Sequence, residues 1–228
     1  MHAAAEQDEK RRMQGKMAMI LRNFIVFEGI DGAGTSTQIE MLMNSPHARK
    51  FFPTAEPTNG ETGRFLRRML GGEFRLDPRT AAYLFAADRC EHLWGTGGDD
   101  FNGGIERICA GGKIVVSDRY LFSSIAYQSV TCGGELAKML QAPFPLPELL
   151  FFFKIAPEVS LSRIGGRGKR EIYEEVEFLR KTEERYERAI SEFEGTGMKI
   201  VTIDAAKTKE EVAAEIISAI SDAGMLER

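Results

Sequence analysis

The chain has 228 residues, 43% of them hydrophobic, a size and content that suit one compact domain with at most a small excursion. Thirty basic residues stand against 34 acidic ones, a net charge of −4, so no basic face for a nucleic-acid partner is indicated, although a local phosphate site is not excluded. No apolar run approaches the ~20 residues of a membrane helix, and Cys90, Cys109 and Cys132 lack metal-like spacing and read as reduced thiols of a cytoplasmic protein.

Residues 1–22 are polar and lack the apolar core of a signal peptide, so they read as an N-terminal extension before a single domain over 23–228. Phe24 to Phe27 is a short apolar, β-branched run, predicted as a buried strand. A helix is expected over 35–44, a weaker strand at Phe51-Phe52, and helices over 62–70 and 78–94. The glycines between Gly95 and Gly104 mark a surface loop, followed by a helix over 101–110 and a strand at 114–116. A strand over 149–155 and a helix over 157–164 precede Gly165-Gly166-Arg167-Gly168-Lys169-Arg170, whose glycines and cations suit a basic lid at about 164–174. A helix over 176–194, a strand over 200–203 and a helix over 208–223 complete the order.

Continuous apolar strands alternating with helices imply a parallel sheet covered on both faces. Right-handed crossovers make it a doubly wound, five-stranded α/β domain. Ligands on such a sheet bind outside the carboxyl ends of the strands, where Glu28-Gly29, Asp118-Arg119 and Asp204-Ala205 fall.

Gly29-Ile30-Asp31-Gly32-Ala33-Gly34-Thr35-Ser36 leaves a predicted strand and opens a helix, the context a phosphate-binding P-loop requires. Its glycines let backbone N–H groups ring a phosphate, and the helix N-terminus adds partial positive charge. Ser36 is placed to ligate Mg²⁺ through its hydroxyl. The pattern calls for lysine just before that serine, and Thr35 stands there instead. One such charge at ~4 Å from a phosphate and an effective dielectric near 20 is worth about 4 kcal/mol before desolvation.

Five segments in order resemble the thymidylate kinase family, within the P-loop NTPase fold type. They are Phe27 to Gln38, Thr54-Ala55-Glu56-Pro57, Leu84 to Arg89, Asp118-Arg119-Tyr120 with Ser123-Ser124 and Ala126-Tyr127-Gln128, and the basic lid running into Tyr173-Glu174. The resemblance implies transfer of the terminal phosphate of ATP to dTMP with Mg²⁺, a homodimer, and neither nucleic-acid nor membrane partners. It puts ATP on Gly29 to Thr37 and Arg163, and Mg²⁺ on Ser36 and Asp118. Phe85 would stack on thymine. Arg89, at i+4 on the same helix face, would reach the pyrimidine and the acceptor phosphate. Ser124 and Gln128 would hydrogen-bond the thymine edge, Tyr127 would crowd the 2′ position, Phe65 and Tyr173 would close the pocket, and Glu56, Pro57 and Ser123 would also bind the substrate. Asp31 would contact the 3′-hydroxyl, and Arg119 would bridge donor and acceptor phosphates.

One branch of that family carries an arginine inside the P-loop. Gly32 occupies the position here, so the chain resembles the other branch, in which lid residues such as Arg167 and Arg170 supply the catalytic charge. A second departure is Ala55, where the family has an arginine that grips the acceptor phosphate; Arg64, Arg67 and Arg68 lie on the following helix. These two losses leave open a binding-only homologue with a regulatory or sensing role. A kinase with another acceptor, such as dUMP or a deoxynucleoside, is a third reading. The deoxynucleoside would need a base, for which Glu28 is the candidate.

Overall fold

The computed structural model describes residues 19–95, 103–164 and 169–228, the last segment with side chains from Val176 onward. Five strands form one sheet: β1 (Ile20–Gly29), β2 (Phe51–Ala55), β3 (Ile114–Asp118), β4 (Leu146–Lys154) and β5 (Lys199–Asp204). Their order is β2-β3-β1-β4-β5, and every pairing is parallel. Flanking helices are α1 (Thr35–Met43), α2 (Glu61–Leu70), α3 (Pro78–Trp94), α4 (Gly104–Ala110), α5 (Leu121–Thr131), α6 (Gly134–Gln141), α7 (Pro157–Ile164), α8 (Lys169–Glu192) and α9 (Lys209–Asp222). The doubly wound α/β architecture is therefore as the alternating pattern implies. Phe24 to Phe27 and Leu149 to Phe151 are wholly buried, because a central strand is covered on both faces.

Several boundaries differ from the periodic reading. β1 begins at Ile20, so Ile20 to Arg22 belong to the strand and not to an extension; Ile20 and Leu21 pair with Leu146 and Pro147 of β4. The register then shifts before Ile25, at Asn23, which adopts φ 61° and donates its N–H to Glu148 Oε2 at 2.8 Å. Asparagine tolerates this left-handed conformation better than most side chains. The helix expected from 176 starts at Lys169 instead, since the Lys, Arg and Glu of 169–175 are good helix formers. Of the helix expected over 101–110, α4 describes Gly104–Ala110, and 101–102 lie outside the described residues.

Two helices, α5 and α6, are not among the elements expected from the sequence, and α5 lacks an amphipathic pattern. Six of the eleven residues of α5 are buried, among them the polar Ser124 and Gln128, so apolar and polar positions do not separate along it. That failure has a cause: α5 turns polar side chains toward the interior of the site while packing against α8 and α6.

Candidate active site

β1 delivers the chain at Gly29 to the turn that opens α1. Within that turn Ala33 N–H donates to Ile30 O at 3.1 Å, and Gly34, at φ 94°, precedes the first helical residue, Thr35. Gly32 has φ 77°, and a Cβ there would stand 2.7 Å from Ser160 O and 2.9 Å from Ile164 Cγ1. Helix α7 thus presses directly on the turn, and Ser160 Oγ donates to Asp31 O. A side chain at this position would therefore run into α7. The turn borders an open cleft of about 570 Å³, whose other walls include Asp118, Arg119, Arg163, Lys207 and Lys209. Arg163 Nη2 is tied to Ala205 O at 2.9 Å. Lys207 pairs with Glu215 at 2.9 Å.

The end of β3 meets the same turn because Phe27 and Asp118 are register partners. Ser36 Oγ donates to Asp118 Oδ2 at 2.5 Å, while the buried Asp118 Oδ1 has no hydrogen-bond partner. A hydroxyl and a carboxylate with a spare oxygen are hard ligands of the kind Mg²⁺ takes one or two of, alongside phosphate oxygens. Among the described residues no cluster of three or more His, Cys, Asp or Glu could hold a metal by protein ligands alone. The donor set therefore fits Mg²⁺ held jointly with a nucleotide.

Arg119, directly after Asp118, adopts φ 72°. Its N–H donates to Phe27 O at 2.9 Å, and Ser117 Oγ donates to its carbonyl at 2.7 Å. Its guanidinium crosses to the phosphate loop: Nη2 lies 2.5 Å from Asp31 Oδ1, and Nη1 reaches Gly29 O at 3.2 Å. Nη1 also donates to Ser123 Oγ at 3.1 Å and to Tyr186 Oη at 3.4 Å. The Tyr127 ring lies beneath the cation at 5.3 Å, and the Tyr127 hydroxyl accepts from Asp31 N–H at 3.2 Å. Burial pushes that hydroxyl up to about 12, so it stays protonated.

Behind Arg119 lies Glu28, fully buried. Its Oε1 accepts from the N–H groups of Tyr120 at 2.9 Å and Ser123 at 3.1 Å; its Oε2 accepts from Ser123 Oγ at 2.5 Å and Tyr186 Oη at 3.0 Å. Burial raises the carboxyl to about 7 against the lowering effect of Ser123 and Arg119. Ser123 thus faces Glu28, Arg119 and Tyr186. Tyr186 was not singled out from sequence: along α8 it falls in step with the buried Leu179, Ala189 and Ile190, so its hydroxyl is hidden within a core pattern.

Across the sheet edge, α3 meets the turn after β2. Arg89 is 1% exposed. Its Nε and Nη2 donate to Glu56 Oε2 at 3.0 and 2.5 Å, Nη2 also to Ser124 Oγ at 3.0 Å, and Nη1 to Gln141 Oε1. Tyr120 and Phe144 place their rings 5.0 and 5.4 Å from the cation. Burial pushes the Glu56 carboxyl up, but the Arg89 charge and the His92 contact carry it below the ordinary value. The cis peptide Glu56-Pro57 follows, and Asp88 accepts from Thr58 N–H at 2.8 Å and Thr58 Oγ1 at 2.6 Å. Gln128 is buried, with Oε1 unpartnered. Phe85 is half-buried on α3; Phe65 is exposed and lies 4.8 Å from the Phe74 ring. Arg67 turns back onto the carbonyls of Pro57 and Thr58, whereas Arg64 and Arg68 pair with Glu61 and Glu73. Arg167 lies outside the described residues, as do the side chains of Arg170 and Tyr173. Asp204, the third acidic strand end, caps its own turn by accepting from Ala206 N–H at 3.0 Å.

A strand that runs through a glycine turn into a helix, beside a neighbouring strand ending in an Asp that meets the helix's serine, defines a P-loop nucleotide-binding protein of the phosphotransferase kind. The family model described as "Thymidylate kinase" matches residues 27–216. A "Putative thymidylate kinase" of Treponema pallidum is 43% identical over 202 residues, covering 87% of this chain and 94% of that protein. "Probable thymidylate kinase" proteins of Methanococcus aeolicus and Pyrobaculum aerophilum are 36% and 38% identical, covering 89% and 86% of this chain and 97% and 95% of their own lengths. The chain belongs to the thymidylate kinase family.

Proposed function

We propose that the chain transfers the terminal phosphate of ATP to dTMP. The observation that carries this reading is Arg119, whose guanidinium joins Asp31 and Gly29 of the phosphate loop to Ser123 and Tyr127 of the neighbouring helix. A cation there faces donor and acceptor phosphates together. In the reaction an oxygen of the dTMP phosphate bonds to the γ-phosphorus of ATP as the bond to the β,γ-bridging oxygen breaks, giving dTDP and ADP. The acceptor phosphate is already a nucleophile at neutral pH, so the protein's work is positioning and charge stabilisation. Mg²⁺, held by Ser36 and Asp118, would offset charge on the donor phosphates.

Backbone N–H groups of Gly32 to Ser36 hold those phosphates in this reading, with Arg163, Lys207 and Lys209 lining the remainder of the cleft. Phe85 stacks on thymine, Gln128 offers its unpartnered Oε1 to the base edge, and Tyr127 crowds a 2′-hydroxyl. Arg67, beside the Pro57-Thr58 turn, is the described cation best placed to act where Ala55 lacks one. Arg167 and Arg170 complete the charge on the donor side. A cytoplasmic homodimer belongs to the same reading, with the exposed Tyr83, Trp94 and Met139 as apolar surface to build on. Among the described residues no helix is long and apolar enough to cross a membrane.

A deoxynucleoside acceptor is disfavoured: its uncharged hydroxyl would need a base, and Glu28 is fully buried beneath Ser123 and Tyr186. No observation favours the sensing role. A coupled assay with ATP, Mg²⁺ and a panel of monophosphates tests the assignment. The expected result is fastest turnover of dTMP and a sharp fall with the 2′-hydroxyl analogue; equal rates on CMP or AMP would overturn it.

A further inference from the structure

We infer that Glu28, Ser123 and Tyr186 form a buried clamp that holds the Arg119 guanidinium in its working position, with Tyr186 making α8 part of that clamp. The inference rests on the role proposed for Arg119 but is testable without it.

The geometry is closed on three sides. Ser123 Oγ lies 2.5 Å from Glu28 Oε2, 2.6 Å from Tyr186 Oη and 3.1 Å from Arg119 Nη1. Tyr186 Oη lies 3.0 Å from Glu28 Oε2 and 3.4 Å from Arg119 Nη1. The same carboxylate takes the N–H groups of Tyr120 and Ser123, the first residues after Arg119 and within the first turn of α5. One buried acidic group therefore secures both the backbone leaving Arg119 and the hydroxyls beneath its guanidinium. Such anchoring is needed because an arginine at φ 72° is held against its own preference, at roughly 1–3 kcal/mol. A long side chain without these partners would lose its single placement, and turnover depends on placement to well under 1 Å. Tyr186 touches Arg119 directly and Glu28 reaches it through Ser123 and Tyr186, while neither Glu28 nor Tyr186 lines the cleft, so they are positioning residues.

The cluster also spans the chain: Glu28 lies near the end of β1, Ser123 on α5 and Tyr186 on α8, with Glu28 and Tyr186 158 positions apart. A displacement of α8 along its axis would carry the Tyr186 hydroxyl away from Ser123 and Glu28.

The test uses the full chain with Tyr186→Phe, which keeps the ring and removes only the hydroxyl, and Glu28→Gln as a second lesion. The first readout is kcat and KM; the second is the guanidinium NMR signals of Arg119, assigned by Arg119→Lys. The expected result is a ~10-fold or greater fall in kcat with KM for ATP within about twofold, together with faster exchange of the Arg119 signals. A purely structural tyrosine would lower the melting temperature and leave the Arg119 signals unchanged; that outcome, or kcat within twofold of wild type in an active enzyme, would overturn the clamp. If the wild-type chain turned over no dTMP while Tyr186→Phe still loosened Arg119, the clamp would stand and the proposed function would fall.

Discussion

Arg119 combines a left-handed backbone, a guanidinium shared between Asp31, Gly29 and Ser123, and a ring face from Tyr127. These are polar contacts just past the end of β3, beyond the wholly buried Phe24 to Phe27 and Val115-Val116 of the core. Arg119→Ala is therefore expected to leave a folded protein whose kcat falls about 10²–10³-fold, the usual loss when one preorganised charge-stabilising group is removed. A coupled assay beside a thermal melt separates the two effects. A variant with near-normal kcat would reduce Arg119 to a structural strand end.

The contact between α7 and the phosphate turn belongs to the scale of elements. Gly32 is where it is tightest: positive φ and a Ser160 carbonyl 2.7 Å from the missing Cβ leave no room for any side chain. Gly32→Ala must either push α7 back or reshape the turn, and both act on the backbone N–H groups that would face the donor phosphates. We expect a stability loss of more than ~1 kcal/mol and at least tenfold weaker binding of a non-hydrolysable ATP analogue. Titration calorimetry alongside urea unfolding checks this. Unchanged affinity would mean that α7 is not needed to shape the turn. The glycine pattern itself was readable along the chain; that a helix some 130 residues later presses on it was not.

At the scale of the whole molecule, Glu28 sets a pH signature. Its carboxyl sits at about 7 in the fold, raised by burial from an ordinary value of 4.5. Between those values the folded chain keeps a proton that the unfolded chain has lost. Stability from this group is thus complete below about pH 4.5, falls as pH rises through the window, and is flat again above about 7. Glu28→Gln cannot titrate, so its unfolding free energy should lose that fall while other groups contribute alike in both proteins. Urea midpoints at roughly pH 5 and pH 8 test the difference. Parallel pH dependences in the two proteins would contradict the buried, proton-retaining Glu28.

Local chemistry was enough to read the strands, the phosphate turn and Ser36 from the chain, because apolar runs, glycine spacing and a helix start are short-range signals. It was also enough to see that Thr35 and Ala55 bring no charge. What the chain alone left undecided is set by contacts between distant residues: the strand order β2-β3-β1-β4-β5 that puts Asp118 beside Phe27, and the burial of Arg89 among Glu56, Ser124 and Gln141. The meeting of Glu28 with Tyr186 belongs with these. Periodicity reports which face of an element is buried and not which partner covers it, so a tyrosine or arginine in a core pattern shows its polar contacts only once the sheet is assembled.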